Sequence, residues 1–352
     1  MQHDPPHSFA HESAAPLPPG SSAPPLGSLP PPIPHRRHAR PFWSSIGRLL
    51  LFLVLTVAFA AAFAFVVAGL PWLADNELAE GALMFLPATV GATVLLLTIA
   101  DRRPLSAVGL PLNGLGARHL VFGIVVGSGL SAAIIGFQWM VGWVEIEYGT
   151  VQGSLSEVVW APTLVVGFLV IASAAASEEL MFRGYGLQQL MRGTHAWGAM
   201  ILSSVVFGLV HASNPNSSTV GIVNTVLFGL LFGVPLLRQR SLWIPTGMHF
   251  GWNFSLACLG ANISGLTIRL TGMEVVPVGP ALWSGAEYGP EASVLSTFAV
   301  IAAGVLLWRL PLRSNEEPVL WDRDAPSAAG SQTGAIPAGF DLRSGTPRDE
   351  SF

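Results

Sequence analysis

The sequence predicts an all-α membrane protein, a bundle of about eight transmembrane helices with both termini in the cytoplasm. Long apolar runs recur along the 352 residues, and 51% of the residues are hydrophobic. Only 11% are charged, against about 25% in an ordinary soluble protein. The net charge is −4, which leaves no large basic surface that would favour nucleic acid. The lipid bilayer is therefore the expected environment of this chain.

Each predicted span rests on a run of about 20 mainly apolar residues, the length that crosses the hydrocarbon core as a helix. The third and seventh runs also contain several glycines and polar groups, so we expect them to pack inside the bundle. The eight candidate spans are residues 46–70, 81–100, 119–144, 158–180, 196–212, 218–237, 241–262 and 293–310.

The arginines predict the orientation, because cytoplasmic loops of membrane proteins are enriched in basic residues. They precede span one and follow spans two, four, six and eight, whereas the intervening loops are acidic or uncharged apart from Arg269. This alternation places both termini in the cytoplasm. Every basic residue is an arginine, a bias that points weakly to a bacterial source, and we therefore expect a multi-pass protein of a bacterial inner membrane.

The two ends of the chain differ in composition from the membrane domain, which we assign to residues 42–313. Residues 1–41 are rich in proline and predict a disordered cytoplasmic arm. Residues 314–352 are polar and predict a disordered cytoplasmic tail. The sequence carries no signal for an oligomeric state.

Three charged residues stand at the end of the fourth span, in the stretch SEELMFR. A charged group at membrane depth costs roughly 2.5–3.5 kcal/mol on insertion scales. Residues four apart share a helix face, so Arg183 is expected to pair with Glu179. Glu178 is rotated by about 100° and stays unpaired on another face. Helical phase therefore predicts different roles for the two glutamates, with Glu178 suited to act as a base.

Two further motifs lie on apolar segments, and in each of them the two marked residues are four positions apart. Phe207 and His211 share one helix face, and His249 and Asn253 share another. Each feature has an ordinary structural alternative. A Glu–Arg pair can hold helices together, a lone buried histidine can be a hydrogen-bonded core residue, and Phe207 can simply pack beside a site. Three such sets at compatible depth nevertheless favour a functional site.

The three sets can meet if the fourth helix continues to Arg192 and then turns back at GTHA. Glu178 and His211 then lie about 20 Å from that turn on antiparallel helices, at the same level. His249 lies eight residues into the seventh span. We therefore expect one cluster of these side chains with Asn253, in the cytoplasmic half of the membrane.

These motifs, in this order, resemble those of the CPBP family of intramembrane proteins, which contains the type II CAAX prenyl endopeptidases and the bacteriocin-processing, self-immunity proteins. The resemblance covers residues 81–262. Its three motifs are EExxxR, from Glu178 to Arg183, FxxxH, from Phe207 to His211, and HxxxN, from His249 to Asn253.

The resemblance implies an intramembrane endopeptidase that hydrolyses a membrane-associated protein or peptide, with or without a lipid group. Glu178 would activate water that His211 helps to hold, and His249 and Asn253 would stabilise the oxyanion. Glu179 and Arg183 would support the site.

The family is often described as metalloproteases, and Glu178, His211 and His249 could bind Zn²⁺ with an open fourth position. A glutamate mechanism without metal uses the same residues, and both alternatives stay open. The alternative function is a non-catalytic membrane scaffold or immunity protein with the same fold. A Glu/His transporter is a further alternative, although no repeated halves are evident.

Overall fold

The computed structural model describes residues 42–68, 77–148, 160–322, 340–341 and 346–347. The predicted proline-rich arm and most of the predicted tail lie outside these residues. In the described part the chain is mostly helical, and its helices follow one another in the order predicted for the spans. The helices are α1 (Phe42–Val67), α2 (Glu77–Leu95), α3 (Gly114–Met140), α4 (Trp160–Arg183), α5 (Tyr185–Gly193), α6 (Ala196–Val210), α7 (Thr219–Gln239), α8 (Trp243–Leu259), α9 (Ala281–Ser284) and α10 (Val294–Arg309).

Six helical segments in the described residues are long and apolar enough to cross a membrane. They comprise α1, α3 and α7, together with residues 84–101, 164–193 and 196–213, the last of which is α6 with the short turn that follows it. The other two predicted spans correspond to α8, with 17 residues, and α10, with 16 residues. At 1.5 Å per residue these helices extend about 25 Å, slightly less than the hydrocarbon core. The chain is an integral, multi-pass membrane protein.

The polar helix α8 is tolerated because it lies inside the bundle. Its residues from Ile244 to Trp252 are all buried. Glycines allow α3 to approach it closely: a Cβ atom on Gly127 would lie 2.0 Å from the Met248 carbonyl oxygen, and one on Gly251 would lie 2.4 Å from that of Ile124. This is the small-residue packing that the glycines of the two segments predicted. The contact fixes the helix that carries His249.

A bulky residue at Gly127 is therefore expected to destabilise the protein. The Gly127→Val variant must push α3 away from α8, and overpacking of this kind costs about 1–3 kcal/mol or more. Thermal unfolding of the detergent-solubilised protein measures the effect. Gly129→Val is the matched control on the same helix, because a Cβ atom there meets nothing within 4 Å. Equal melting temperatures for the two variants would contradict the packing.

A small sheet and short helical turns complete the described fold. Strand β1 (Val144–Tyr148) pairs antiparallel with β2 (Met273–Pro277). Two-residue strands β3 (Phe340–Asp341) and β4 (Thr346–Pro347) form a second pair. The predicted third span extended to residue 144, but α3 ends at Met140 and the chain turns into β1. A π-helical segment, Leu96–Asp101, extends α2.

The chain remains in contact with the bundle from Ser314 to Asp322, nine residues into the segment predicted as a disordered tail. The amide of Leu320 donates to the Ala107 carbonyl, and Arg240 pairs with Asp322 at 2.8 Å. Val319 and Leu320 are buried. The segment is polar overall, so its composition does not reveal that Val319 and Leu320 pack against the bundle. The membrane domain therefore extends past residue 313, where the sequence predicted its end, to Asp322.

Candidate active site

The two adjacent glutamates of α4 have different surroundings. Glu179 is fully buried, and its Oε1 accepts hydrogen bonds from Arg183 Nη1 at 3.1 Å and from His249 Nδ1 at 2.9 Å. The Glu178 side chain is 35% exposed and makes no hydrogen bond within the described residues. Helical phase separates them as the sequence predicted, since Arg183 lies one turn from Glu179.

Arg183 closes the site on one side. Its guanidinium is buried and lies over the Phe207 ring, 4.3 Å from the ring centroid. It also donates to the Gly229 carbonyl at 3.3 Å. The charge is thus neutralised by Glu179 and flanked by aromatic rings, an environment that makes an arginine tolerable at membrane depth.

Two histidines face Glu178 through their Nε2 atoms. The Nε2 atom of His249 lies 3.8 Å from Glu178 Oε2, and that of His211 lies 4.0 Å from it. His211 Nδ1 lies 2.7 Å from the Phe207 carbonyl oxygen, which can only accept, so Nδ1 carries the proton. His249 Nδ1 donates to Glu179 in the same way. Both Nε2 atoms are therefore left free to act toward Glu178.

The spacing between these atoms suits one bridging water molecule. At 3.8–4.0 Å the carboxylate and the imidazoles are too far apart for direct hydrogen bonds, which need about 3 Å. One water can bridge polar groups that are separated by more than about 3.5 Å. A water molecule can therefore be held between the Glu178 carboxylate and the Nε2 atoms of His211 and His249.

The site faces a cavity of about 220 Å³. Asn253 lies one turn beyond His249 on α8, lines the cavity, and makes no side-chain hydrogen bond within the described part of the chain. Phe232 stacks on the His249 ring with centroids 5.1 Å apart and fixes its orientation. The remaining wall is mainly apolar and includes Val170, Ile171, Ala174, Phe228, Ile263 and Leu266.

A second carboxylate lines the same cavity, and the sequence analysis missed it. Glu291 is buried and accepts hydrogen bonds from Trp252 Nε1 at 2.9 Å and from the amide and hydroxyl of Ser264. It thereby ties the loop after α8 to the turn that carries Asn253. Its partners lie 39 and 27 residues away in the chain, and no local pattern marks such a contact.

The sequence predicted that the helix carrying Glu178 continues to Arg192, but the structure breaks this helix at Gly184. It ends at Arg183, because Gly184 has a non-helical ψ of −134°, and α5 begins at Tyr185. Glu178 and His211 are nevertheless level. A Cβ atom on Gly184 would lie 2.2 Å from the Leu180 carbonyl oxygen, so glycine permits this break.

The residues proposed for zinc do not fit a metal ion as they stand. Two ligands about 2.1 Å from a tetrahedral zinc ion lie about 3.4 Å apart, closer than Glu178 is to either histidine. Among the described residues, no group of three or more His, Cys, Asp or Glu side chains is placed to hold a metal. The description of this chain as a metalloprotease is therefore not supported.

The fold and the site together define a class: a polytopic helical membrane protein with a glutamate–histidine cluster at a cavity inside its bundle. Residues 159–255 match the family model of the type II CAAX prenyl endopeptidases, described as Rce1-like. The match covers 97 of the 352 residues, and the three motifs noted in the sequence all lie within it. Neither a curated protein nor a solved structure matches the chain.

Proposed function

We propose that the protein is an intramembrane endopeptidase that hydrolyses a peptide bond of a membrane-associated protein or peptide by means of a Glu178-activated water. The observation that carries the proposal is the placement of Glu178 Oε2 within 4.0 Å of the Nε2 atoms of both histidines, at the wall of a cavity. An ion pair that served only to join helices would not need a second, unpaired carboxylate.

In the proposed reaction Glu178 takes a proton from the water as the oxygen attacks the substrate carbonyl carbon. His211 holds that water through Nε2, because its Nδ1–H group already donates a hydrogen bond to the Phe207 carbonyl oxygen. The proton on Glu178 then passes to the leaving amine as the carbon–nitrogen bond breaks, which restores the carboxylate. The balance of protons thus requires no other reactant.

The negative charge that develops on the substrate oxygen needs donors that are already in place. The Asn253 amide can supply one. His249 supplies another when both of its nitrogens carry protons, and Glu179 balances the positive charge of that state through its contact with Nδ1. Each such donor is worth roughly 2.7–4 kcal/mol of transition-state stabilisation.

The test compares membrane peptides from cells that express the full chain and from cells that express the Glu178→Gln/His249→Ala double variant. We expect a set of peptide termini that depends on the wild-type chain. The matched control is Glu287→Gln/His195→Ala, which changes one exposed glutamate and one exposed histidine outside the cavity. Identical peptides from the wild type and the double variant would support the non-catalytic scaffold instead.

A further inference from the structure

The cavity extends from Glu178 toward one end of the bundle. On α4 its wall continues through Ala174 and Val170, which precede Glu178, and on α8 it continues to Asn253, which follows His249. The wall is completed by residues of the loops that follow α6 and α8, including Asn214 and Ser264. We call the end formed by residues 211–218 and 260–293 the capped end.

The opposite direction is closed by the buried charges and rings already described. Arg183, one turn beyond Glu179, is 1% exposed and lies between the rings of Phe207 and Phe232. Ser203 of α6 donates to the Phe182 carbonyl at 2.8 Å and joins α6 to α4 at this level. These residues close this side of the site, and none of Phe182, Arg183 and Ser203 lines the cavity.

Beyond the closed layer lies the end of the bundle where the arginines gather. Arg48 and Arg192 both contact Asp101, at 2.7 and 3.6 Å. Arg103 donates to the Pro318 carbonyl, and Arg240 pairs with Asp322 nearby. We call this the arginine-rich end. In the described loops of the capped end the basic residue is Arg269, which pairs with Glu274.

The distribution of charge indicates which membrane face each end meets. Loops rich in arginine stay in the cytoplasm during insertion. We therefore expect the arginine-rich end to lie in the cytoplasm. The capped end, toward which the cavity extends, then lies at the opposite face of the membrane. The sequence predicts the cluster in the cytoplasmic half of the membrane. Glu178 and His249 lie at the inner end of the cavity, which extends from them toward the capped end.

We infer that the substrate is a membrane-bound segment presented from the non-cytoplasmic face, such as a translocated peptide or the outer portion of a membrane protein. A protein whose C-terminal cysteine has been prenylated in the cytoplasm would approach the closed layer instead. The apolar cavity wall suits an apolar segment, and the polar groups of Asn214, Thr225 and Ser264 offer hydrogen bonds to its backbone. The substrate class in this inference rests on the proposed endopeptidase function. The side from which the cavity is reached does not depend on that function.

Thiol labelling tests the side of access without any cleavage assay. The native cysteine is removed by Cys258→Ser, and single cysteines are introduced in the full chain as Ala174→Cys in the cavity wall, Thr267→Cys at the capped end, and Glu316→Cys at the arginine-rich end. In spheroplasts, a membrane-impermeant thiol reagent should modify the first two and reach Glu316→Cys only after permeabilisation. Labelling of Ala174→Cys only after permeabilisation, or in neither state, would overturn the inference.

The peptide comparison described above then tests the substrate class. We expect the Glu178-dependent cleavage sites to lie on the non-cytoplasmic side of the transmembrane segments of the substrates. Cleavage sites on the cytoplasmic side would contradict the inferred substrate class. If labelling succeeds but no Glu178-dependent peptide appears, the proposed endopeptidase function fails while the side of access stands. The two failures are thus distinguishable.

Discussion

The Glu178→Gln variant is expected to lose nearly all peptide cleavage, by about 10²–10⁴-fold, the usual contribution of a positioned general base. Glutamine has the same shape as glutamate but cannot take the proton of the attacking water. Cleavage of a peptide identified by the membrane comparison, by purified protein in liposomes, measures the loss.

The same variant should fold normally, which separates a chemical effect from a structural one. Glu178 is 35% exposed and makes no hydrogen bond among the described residues, so its replacement removes little native-state stabilisation. The melting temperature should match that of Glu287→Gln, the exposed control. Retained cleavage with an unchanged melting temperature would remove Glu178 as the base.

The part of the site that the sequence predicts well depends on helical geometry. The Glu179–Arg183 pair and the bond from His211 to the Phe207 carbonyl both join residues four apart on one segment. Their spacing fixes these contacts wherever the helix packs. The same periodicity left Glu178 on a separate face. The meeting of Glu178 with His211 required only that two consecutive helices be antiparallel, and it survives the break at Gly184.

The part that the sequence does not predict depends on the path of loops. Glu291 reaches Trp252 and Ser264 because the chain after α8 folds back over the cavity. The pairing of β1 with β2 likewise joins segments more than 120 residues apart. Hydropathy marked α8 as a span, although protein surrounds its central residues. Such contacts are set by tertiary packing, for which a single sequence offers no periodic signal.

Removal of the Glu179 carboxylate is expected to have the largest effect on stability. In the Glu179→Ala variant, Arg183 remains buried without its partner, and breaking a buried ion pair in this way costs about 3–5 kcal/mol. His249 also loses the acceptor of its Nδ1 proton. The variant should therefore unfold at a markedly lower temperature in detergent and show no cleavage.

A second variant separates these two consequences. Replacing both partners, as in Glu179→Leu/Arg183→Met, removes the unpaired charge, and buried pairs replaced by apolar residues of similar volume are often neutral in stability. Melting should then return toward the wild-type temperature. Cleavage should stay absent, because His249 has lost the acceptor of its Nδ1 proton and the carboxylate that balances its protonated state. Recovery of cleavage together with stability would show that Glu179 serves only to neutralise Arg183, and that His249 needs no partner behind its ring.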